Sequence, residues 1–536
     1  MNIKKYVLLL VLVGFLVYAN SLGNSFVWDD EEMVVKNAPF FQLENTPSLF
    51  TQATFYSGGG SSLSGWFYRP LVMTSFLLTK IVFGPYPLGF HLVQIAFHLT
   101  SSVLVFFVFR ELFFSENKKL SNPLSFILAL IFAVHPANVE SVAYIASVAE
   151  PLCTLFLLLL FWQILKQKKF TLTRNKSLLI ILLFLLALLT KEGALVFLPI
   201  LFLYIFLFQK KRLSLVVNLL LTGLLGYLFI RFAFFGIQME RPAFLAPIGQ
   251  VSFGERLLTL PFILLSFLKT FFFPKILSIS QHTVIRQVQD PSFLLPLIVV
   301  ALFFLSSLLF LFKKRSRLAL FFFVWFIVSL APVVNVIMAL DMTFAERWLY
   351  FPMIGLLGFL GTVILSFPRI NKTSQFIFII FLGVAALLGV RTMIRNKDWK
   401  NGFSLYSHDI KIHPESFDLQ NNLGVELFRR GEKEKARFHF VKSVELQPKW
   451  TISNNNLGAV YESLEEPGKA ENYYKKSVEL GDYYLAYENY ALLLVKQERY
   501  QEAENFLKNK ALKKFPKNQK LLQIYYFLLN KGNPTS

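Results

Sequence analysis

Residues 293–312 read FLLPLIVVALFFLSSLLFLF and run straight into KKRSR at 313–317. Twenty residues without a charge match the length an α-helix needs to cross about 30 Å of hydrocarbon. The basic cluster behind them marks a cytoplasmic end. Apolar runs of this kind recur from Tyr6 to about Arg391, separated by short charged connectors, and the chain then turns polar. With 55% hydrophobic residues and 61 Phe in 536, the apolar side chains exceed what one soluble core hides, and a bilayer must take the surplus. The expected fold class is all-α: a polytopic transmembrane helical bundle followed by a small helical domain.

Taking Lys4 and Lys5 as cytoplasmic and changing sides at each crossing predicts about eleven spans. They fall at 6–20, 91–114, 124–135, 149–165, 177–190, 194–208, 213–235, 293–312, 318–336, 349–367 and 376–390. This count puts Lys118 and Lys119, the basic run 166–176, Lys210 to Arg212, Lys313 to Arg317, and Arg369 with Lys372 on the cytoplasmic side. It leaves the N-terminus inside and the C-terminal domain outside, which is periplasmic in the expected bacterial inner membrane. Lys4 and Lys5 before an apolar run to Ala19 would also suit a secretory signal peptide. The preferred reading is an uncleaved first span, and either choice keeps the next loop on the same side.

Two apolar segments, 71–83 and 257–273, are not counted as crossings, because counting the first would invert every later basic cluster. Arg69, Pro70 and Pro85 bracket one, and Arg256, Pro261 and Pro274 the other, which suits helices lying in the interface. Two long loops then face outward, 21–90 and 236–292. The predicted layout is a membrane domain at 1–395, a linker at 396–416 and a repeat domain at 417–536.

The net charge of +21, from 54 Lys and Arg against 33 Asp and Glu, sits mostly in clusters beside apolar helices. There it sets topology and meets anionic lipid, so nucleic acid is not an expected partner. The single Cys153 lies in an apolar run and can form no intramolecular disulfide.

From about Phe417 a two-helix unit recurs. Leu423, Gly424, Leu427, Ala436 and Phe440 return as Leu457, Gly458, Tyr461, Ala470 and Tyr474, an offset of 34. A third unit, Tyr490, Ala491, Leu494, Ala503 and Leu507, follows at 33. The pattern resembles the tetratricopeptide repeat (TPR), an α-solenoid in which small residues admit close helix approach. Asn421, Asn422 and Asn454 to Asn456 suit bonding to a peptide backbone or solvation of the helices themselves.

The strongest chemical signal is FVWDDEE at 26–32, just outside the first span. Four consecutive carboxylates beside an apolar interface repel one another, which suits a general base or a divalent-metal site. Asp29 and Asp30 are the candidates; Glu31 and Glu32 read equally as a solvated turn. His135, Pro136 and Glu140, then Glu150, lie at the outward ends of the third and fourth spans, and a helix between them would put Glu140 and Tyr144 on one face. Lys191 suits a phosphate, while pairing with Glu192 is an even alternative. Glu346 and Arg347 open the tenth span; the planar fork of Arg347 matches an oxyanion, and an interfacial anchor beside Trp348 and Tyr350 is an equal reading. Asp29, Asp30, Arg69, Glu140, Glu150, Lys191, Glu346 and Arg347 are all expected on one membrane face. No Gly-rich phosphate loop or Ser-His-Asp set accompanies them, so a nucleotide-sugar donor has no evident home.

In their order along nearly the whole chain, these residues resemble the transmembrane and tetratricopeptide-repeat O-mannosyltransferase family. They are Trp28-Asp29-Asp30, Tyr68-Arg69-Pro70-Leu71, Phe90-His91-Leu92-Val93, His135-Pro136 with Glu140 and Glu150, Lys191-Glu192, Glu346 to Tyr350, and the trailing repeats. The family is similar to the C-type (GT-C) glycosyltransferases, which take a sugar from a polyprenyl or dolichyl phosphate at the outer or luminal face. The resemblance implies a monosaccharide, mannose being one candidate, moved from a polyprenyl phosphate to a protein or glycan. It implies an acidic catalytic residue, here Asp29 or Asp30, and donor-phosphate ligands among Arg69, Lys191 and Arg347, with His135, Glu140, Glu150, Glu192 and Glu346 supporting. A protein acceptor would be held by the repeats, though their short array departs from the family's pattern. A metal requirement stays open. The alternative from another class is a non-catalytic membrane scaffold whose repeats recruit extracytoplasmic partners.

Overall fold

The computed structural model describes residues 2–52, 54–56, 63–64, 67–167, 173–210, 213–234, 245–367 and 370–532. The fold is all-α, with one short antiparallel pair, Phe55–Tyr56 against Leu63–Ser64, among the described residues. Two compact units emerge: Met1–Asp30, Ala38–Thr51 and Phe67–Asn401 form the first, and Glu31–Asn37, Gln52–Trp66 and Gly402–Ser536 the second. The predicted layout gave the whole of 21–90 to the membrane domain and 396–416 to a linker. Instead, two pieces of that loop pack with the repeats, the last membrane-unit helix runs Ile370–Asp398, and a further helix, Gly402–Asp409, fills part of the predicted linker.

Among the described residues of the first unit, seven helices are long and apolar enough to cross a membrane: Ile3–Ser21, Pro87–Phe114, Ile145–Leu165, Ser214–Ala233, Pro291–Lys314, Glu346–Leu365 and Gln375–Asp398. The predicted third span is a pair, Ser121–Val134 and Pro136–Val142, bent by 49°. Pro136 causes the break, since it lacks an N–H and pushes His135 into extended backbone. The remaining three predicted crossings fall on shorter helices, Arg174–Thr190, Glu192–Phe208 and Arg317–Val333. Several of the cations that set the predicted topology, among them Lys168, Lys169, Lys211, Arg212 and Arg369, lie outside the described residues, as does the start of the loop 236–292.

The two uncounted segments are helices. Pro70–Phe83 has 14 residues, about 21 Å at the usual rise and too short for the hydrocarbon. Phe253–Phe272 starts at a capping box between Ser252 and Glu255 and carries Glu255, Arg256 and Lys269. The core of the bundle is aromatic. Trp325, fully buried, meets Phe161, Phe321 and Phe351 at centroid distances of 5.2–5.7 Å. Close approach comes from small residues: a Cβ on Gly355 would lie 2.6 Å from the backbone nitrogen of Phe326, so the helices Tyr350–Leu365 and Arg317–Leu330 touch along their backbones.

The second unit is the α-solenoid. Its helix pairs are Phe417–Arg429 with Lys433–Leu446, Thr451–Ser463 with Pro467–Leu480, and Tyr484–Lys496 with the helix that starts at Tyr500. Within a pair, Gly424 and Gly458 face Phe440 and Tyr474, where a Cβ would come within 2.7 Å of the ring. Ala436, Ala470 and Ala503 are fully buried. The repeat also recurs in its hydrogen bonds: Ser443 Oγ donates to Phe417 O and Ser477 Oγ to Thr451 O, both at 2.7–2.8 Å.

Candidate functional site

The acidic stretch after the first span is split by the fold. Trp28 has φ of 56°, the left-handed region that a bulky residue enters only under constraint. This reversal turns Asp29 and Asp30 in different directions. Asp30 is fully buried, and its two oxygens accept from backbone N–H groups, Oδ2 from Val27 at 3.0 Å and Oδ1 from Ala146 at 2.7 Å. Burial pushes its carboxyl well above the ordinary range, opposed by those N–H groups and reinforced by the neighbouring Asp29. Bonded in this way, Asp30 pins Ala146 to the turn at Val27. Asp29 is only half-buried, and its Oδ2 accepts from the Tyr144 hydroxyl at 2.8 Å.

Tyr144 does not continue the helix of Glu140. The helix Val139–Val142 stops after four residues and Tyr144 is extended, so the expected shared face is absent. The ring lies between Trp28 and Trp399, at centroid distances of 5.3 and 5.4 Å. Glu140, fully buried, takes both the backbone N–H of Arg347 at 2.9 Å and its Nη1. The Arg347 guanidinium stands 5.7 Å from the Trp28 ring. Glu346 goes elsewhere: its Oε1 accepts from the backbone N–H of Ser278 at 2.5 Å, fastening the 274–285 loop. His135 is buried, donates from Nε2 to Phe271 O at 2.9 Å and accepts from Ala137 N–H at Nδ1, a helix-capping role.

A second cluster gathers four segments. Lys191 pairs with Glu150 instead of with its neighbour Glu192. Glu192 lies between two arginines, Arg69 Nε at 3.4 Å and Arg231 Nη1 at 3.6 Å. Arg231 also donates to the Tyr227 hydroxyl at 2.7 Å and stands 5.7 Å from the Tyr68 ring. Arg69, Lys191 and Arg231 thus gather around Glu150 and Glu192, a set of cations able to meet an anion. The clusters feel each other, since Glu150 lies within electrostatic reach of Arg347.

The structure therefore brings Asp29, Asp30, Glu140 and Arg347 together through Tyr144 and Trp28, and Arg69 and Arg231 together on Glu192, next in the chain to the Lys191 that pairs with Glu150. His135 and Glu346 brace loops instead. Arg231, Tyr144 as a partner of Asp29, and Trp399 escaped the sequence reading. A lone arginine inside the apolar run 213–235 was itself a signal, because a cation at that depth costs too much to be idle. Among the described residues no group of three His, Cys, Asp or Glu side chains is placed to hold a metal ion.

The tetratricopeptide repeat family matches residues 452–480. Among curated proteins the chain is 25% identical over 459 residues to a protein O-mannosyl-transferase of Caenorhabditis elegans, covering 83% of this chain and 63% of that one. It is 26% identical over 482 residues to Protein O-mannosyl-transferase TMTC4 of Homo sapiens, covering 79% of this chain and 64% of the relative. Over 184 residues it is 33% identical to Protein O-mannosyl-transferase Tmtc1 of Drosophila melanogaster, covering 34% of this chain and 20% of the relative. The chain spans just under two thirds of the length of the first two. The resemblance expected from the motifs is thus found, in a multi-pass membrane protein with repeats at its C-terminal end.

Proposed function

We propose that this chain is an integral membrane glycosyltransferase that moves a monosaccharide from a polyprenyl-phosphate donor to a hydroxyl of a protein or glycan. Mannose is the leading candidate because the relatives are named O-mannosyl-transferases. The observation that carries the reading is the presence, in one unit, of a half-buried carboxylate held by Tyr144 and of a cluster of cations and carboxylates drawn from distant segments. Asp29 takes the proton of the acceptor hydroxyl as its oxygen bonds to the anomeric carbon. The bond from that carbon to the donor phosphate oxygen breaks, and the polyprenyl phosphate leaves with the electron pair. Arg69, Lys191 and Arg231 stabilise that charge, the largest contribution expected in such a site.

Arg347 is already held by Glu140 and serves to place Trp28 against Tyr144. The basic connectors argue for the extracytoplasmic face, periplasmic in a bacterial inner membrane and luminal in an endoplasmic reticulum. The repeats, an architecture that builds extended binding surfaces, suit a protein acceptor. The test offers the protein in lipid nanodiscs a panel of polyprenyl-phosphate sugars and candidate acceptors. Loss of donor matched by mass gain on an acceptor is expected. Turnover of no donor, or full turnover by Asp29→Asn, would sink the reading.

A further inference from the structure

The segment Glu31–Asn37 follows Asp30 in the chain yet packs within the repeat unit. Glu31 presents both carboxylate oxygens to one guanidinium: Arg429 Nη1 donates to Oε1 at 2.7 Å and Nη2 to Oε2 at 2.6 Å. A two-pronged bond of this kind fixes direction as well as distance, which an ammonium cannot do. Arg429 closes the first helix of the first repeat. Five residues further on, Lys36 donates to the Tyr484 hydroxyl at 3.4 Å and stands 5.9 Å from its ring centre. Tyr484 opens the first helix of the third repeat. Between these two anchors Met33 and Val34 are buried, and Asn37 Nδ2 donates to Met33 O and Thr54 O, each at 3.1 Å.

The segment therefore reaches from the first repeat to the third along the layer of first helices. That layer is bonded from repeat to repeat. Its successive helices are joined by Asn456 to Asn421 at 2.9 Å and Asn489 to Asn455 at 3.0 Å, so these amides bond one another.

We infer that this face of the repeats holds the outer loop of its own chain, and that Arg429 is a positioning residue: by gripping Glu31 it fixes the backbone one peptide bond beyond Asp30, and hence the turn that presents Asp29. The catalytic half of the inference rests on the transferase reading; the grip does not.

The test uses the full-length protein in nanodiscs as wild type, Glu31→Arg, Arg429→Glu and the double reversal. Two quantities are read, amide hydrogen exchange of residues 31–37 and the steady-state rate with a saturating lipid donor. Each single reversal is expected to speed exchange and to lower kcat about tenfold with the donor KM unchanged. The double reversal rebuilds the pair with opposite polarity and restores both. Unchanged exchange in the single variants overturns the grip, and a double variant as impaired as the singles overturns its action through this pair. If the wild type turns over no donor while exchange still responds, the grip stands and the transferase reading falls.

Discussion

Tyr144 and Asp29, 115 residues apart, share a hydrogen bond of 2.8 Å in which the phenol donates to Oδ2. The neighbouring Asp30 spends both oxygens on backbone N–H groups. Adjacent carboxylates of the same chemistry thus differ in burial, Asp30 being enclosed and Asp29 half-buried. The stacked rings of Trp28 and Trp399 keep the Tyr144 donor in place against Asp29.

Asparagine scanning separates the two roles. Asp29→Asn should assemble with wild-type thermal stability and lose about 10²-fold or more in turnover, the usual worth of a general base. Asp30→Asn turns an amide against one of two N–H donors and should cost about 1–3 kcal/mol of stability. Size-exclusion thermostability of the detergent-solubilised variants beside donor turnover checks both. Equal stability with equal loss of turnover would show that the two carboxylates act alike.

Arg231 should matter to the donor. Arg231→Met keeps the apolar bulk but removes the charge, while Glu192 retains Arg69 at 3.4 Å. A drop of about 10- to 100-fold in kcat/KM for the lipid donor is expected, with the acceptor KM little changed. Varying donor at fixed acceptor, then the reverse, is the measurement. An effect confined to the acceptor would place the phosphate elsewhere.

What the sequence made legible follows from what physics writes locally. A charge-free run such as 293–312 declares a span by itself, and the 34-residue return of Gly424 as Gly458 declares a helix pair. The bend at Pro136 was encoded in its missing N–H, although its effect on Tyr144 was not. Pairings across large separations carry no local signature. Nothing near Glu31 announces Arg429, 398 residues away, and nothing near Lys191 announces that Glu150 outcompetes adjacent Glu192. The tight cluster DDEE at 29–32 read as one acidic site because charge is visible in sequence, whereas the turn at Trp28 that divides it is a tertiary outcome.

Gly355 offers a packing test. Gly355→Val would place its Cβ 2.6 Å from the backbone nitrogen of Phe326, an atom that cannot move aside without its helix. A loss of about 1–3 kcal/mol or more is expected from overpacking. Gly383→Val, in the helix Ile370–Asp398 with open space around the position, is the matched control and should be near neutral. Parallel thermal unfolding of the two variants decides it, and equal losses would remove the close helix contact.

The repeats should loosen in mild acid through His439. Burial lowers its pKa below the ordinary 6.5, and its Nδ1 lies 2.7 Å from Gln420 Oε1, a bond the neutral ring makes as donor. As pH falls through about 6.5 the unfolded segment takes up a proton that the folded one resists, so the unfolded state binds more protons and stability declines. The stabilisation is complete above that value and is lost on acidification, the direction opposite to that of a histidine paired with a carboxylate. His439→Gln keeps a donor for Gln420 but cannot titrate. Amide exchange across Phe417–Leu446 in the full chain at pH 7.5 and pH 5, corrected for the intrinsic pH dependence of exchange, should show the wild type losing more protection than the variant. Equal losses would mean that another group carries the acid sensitivity.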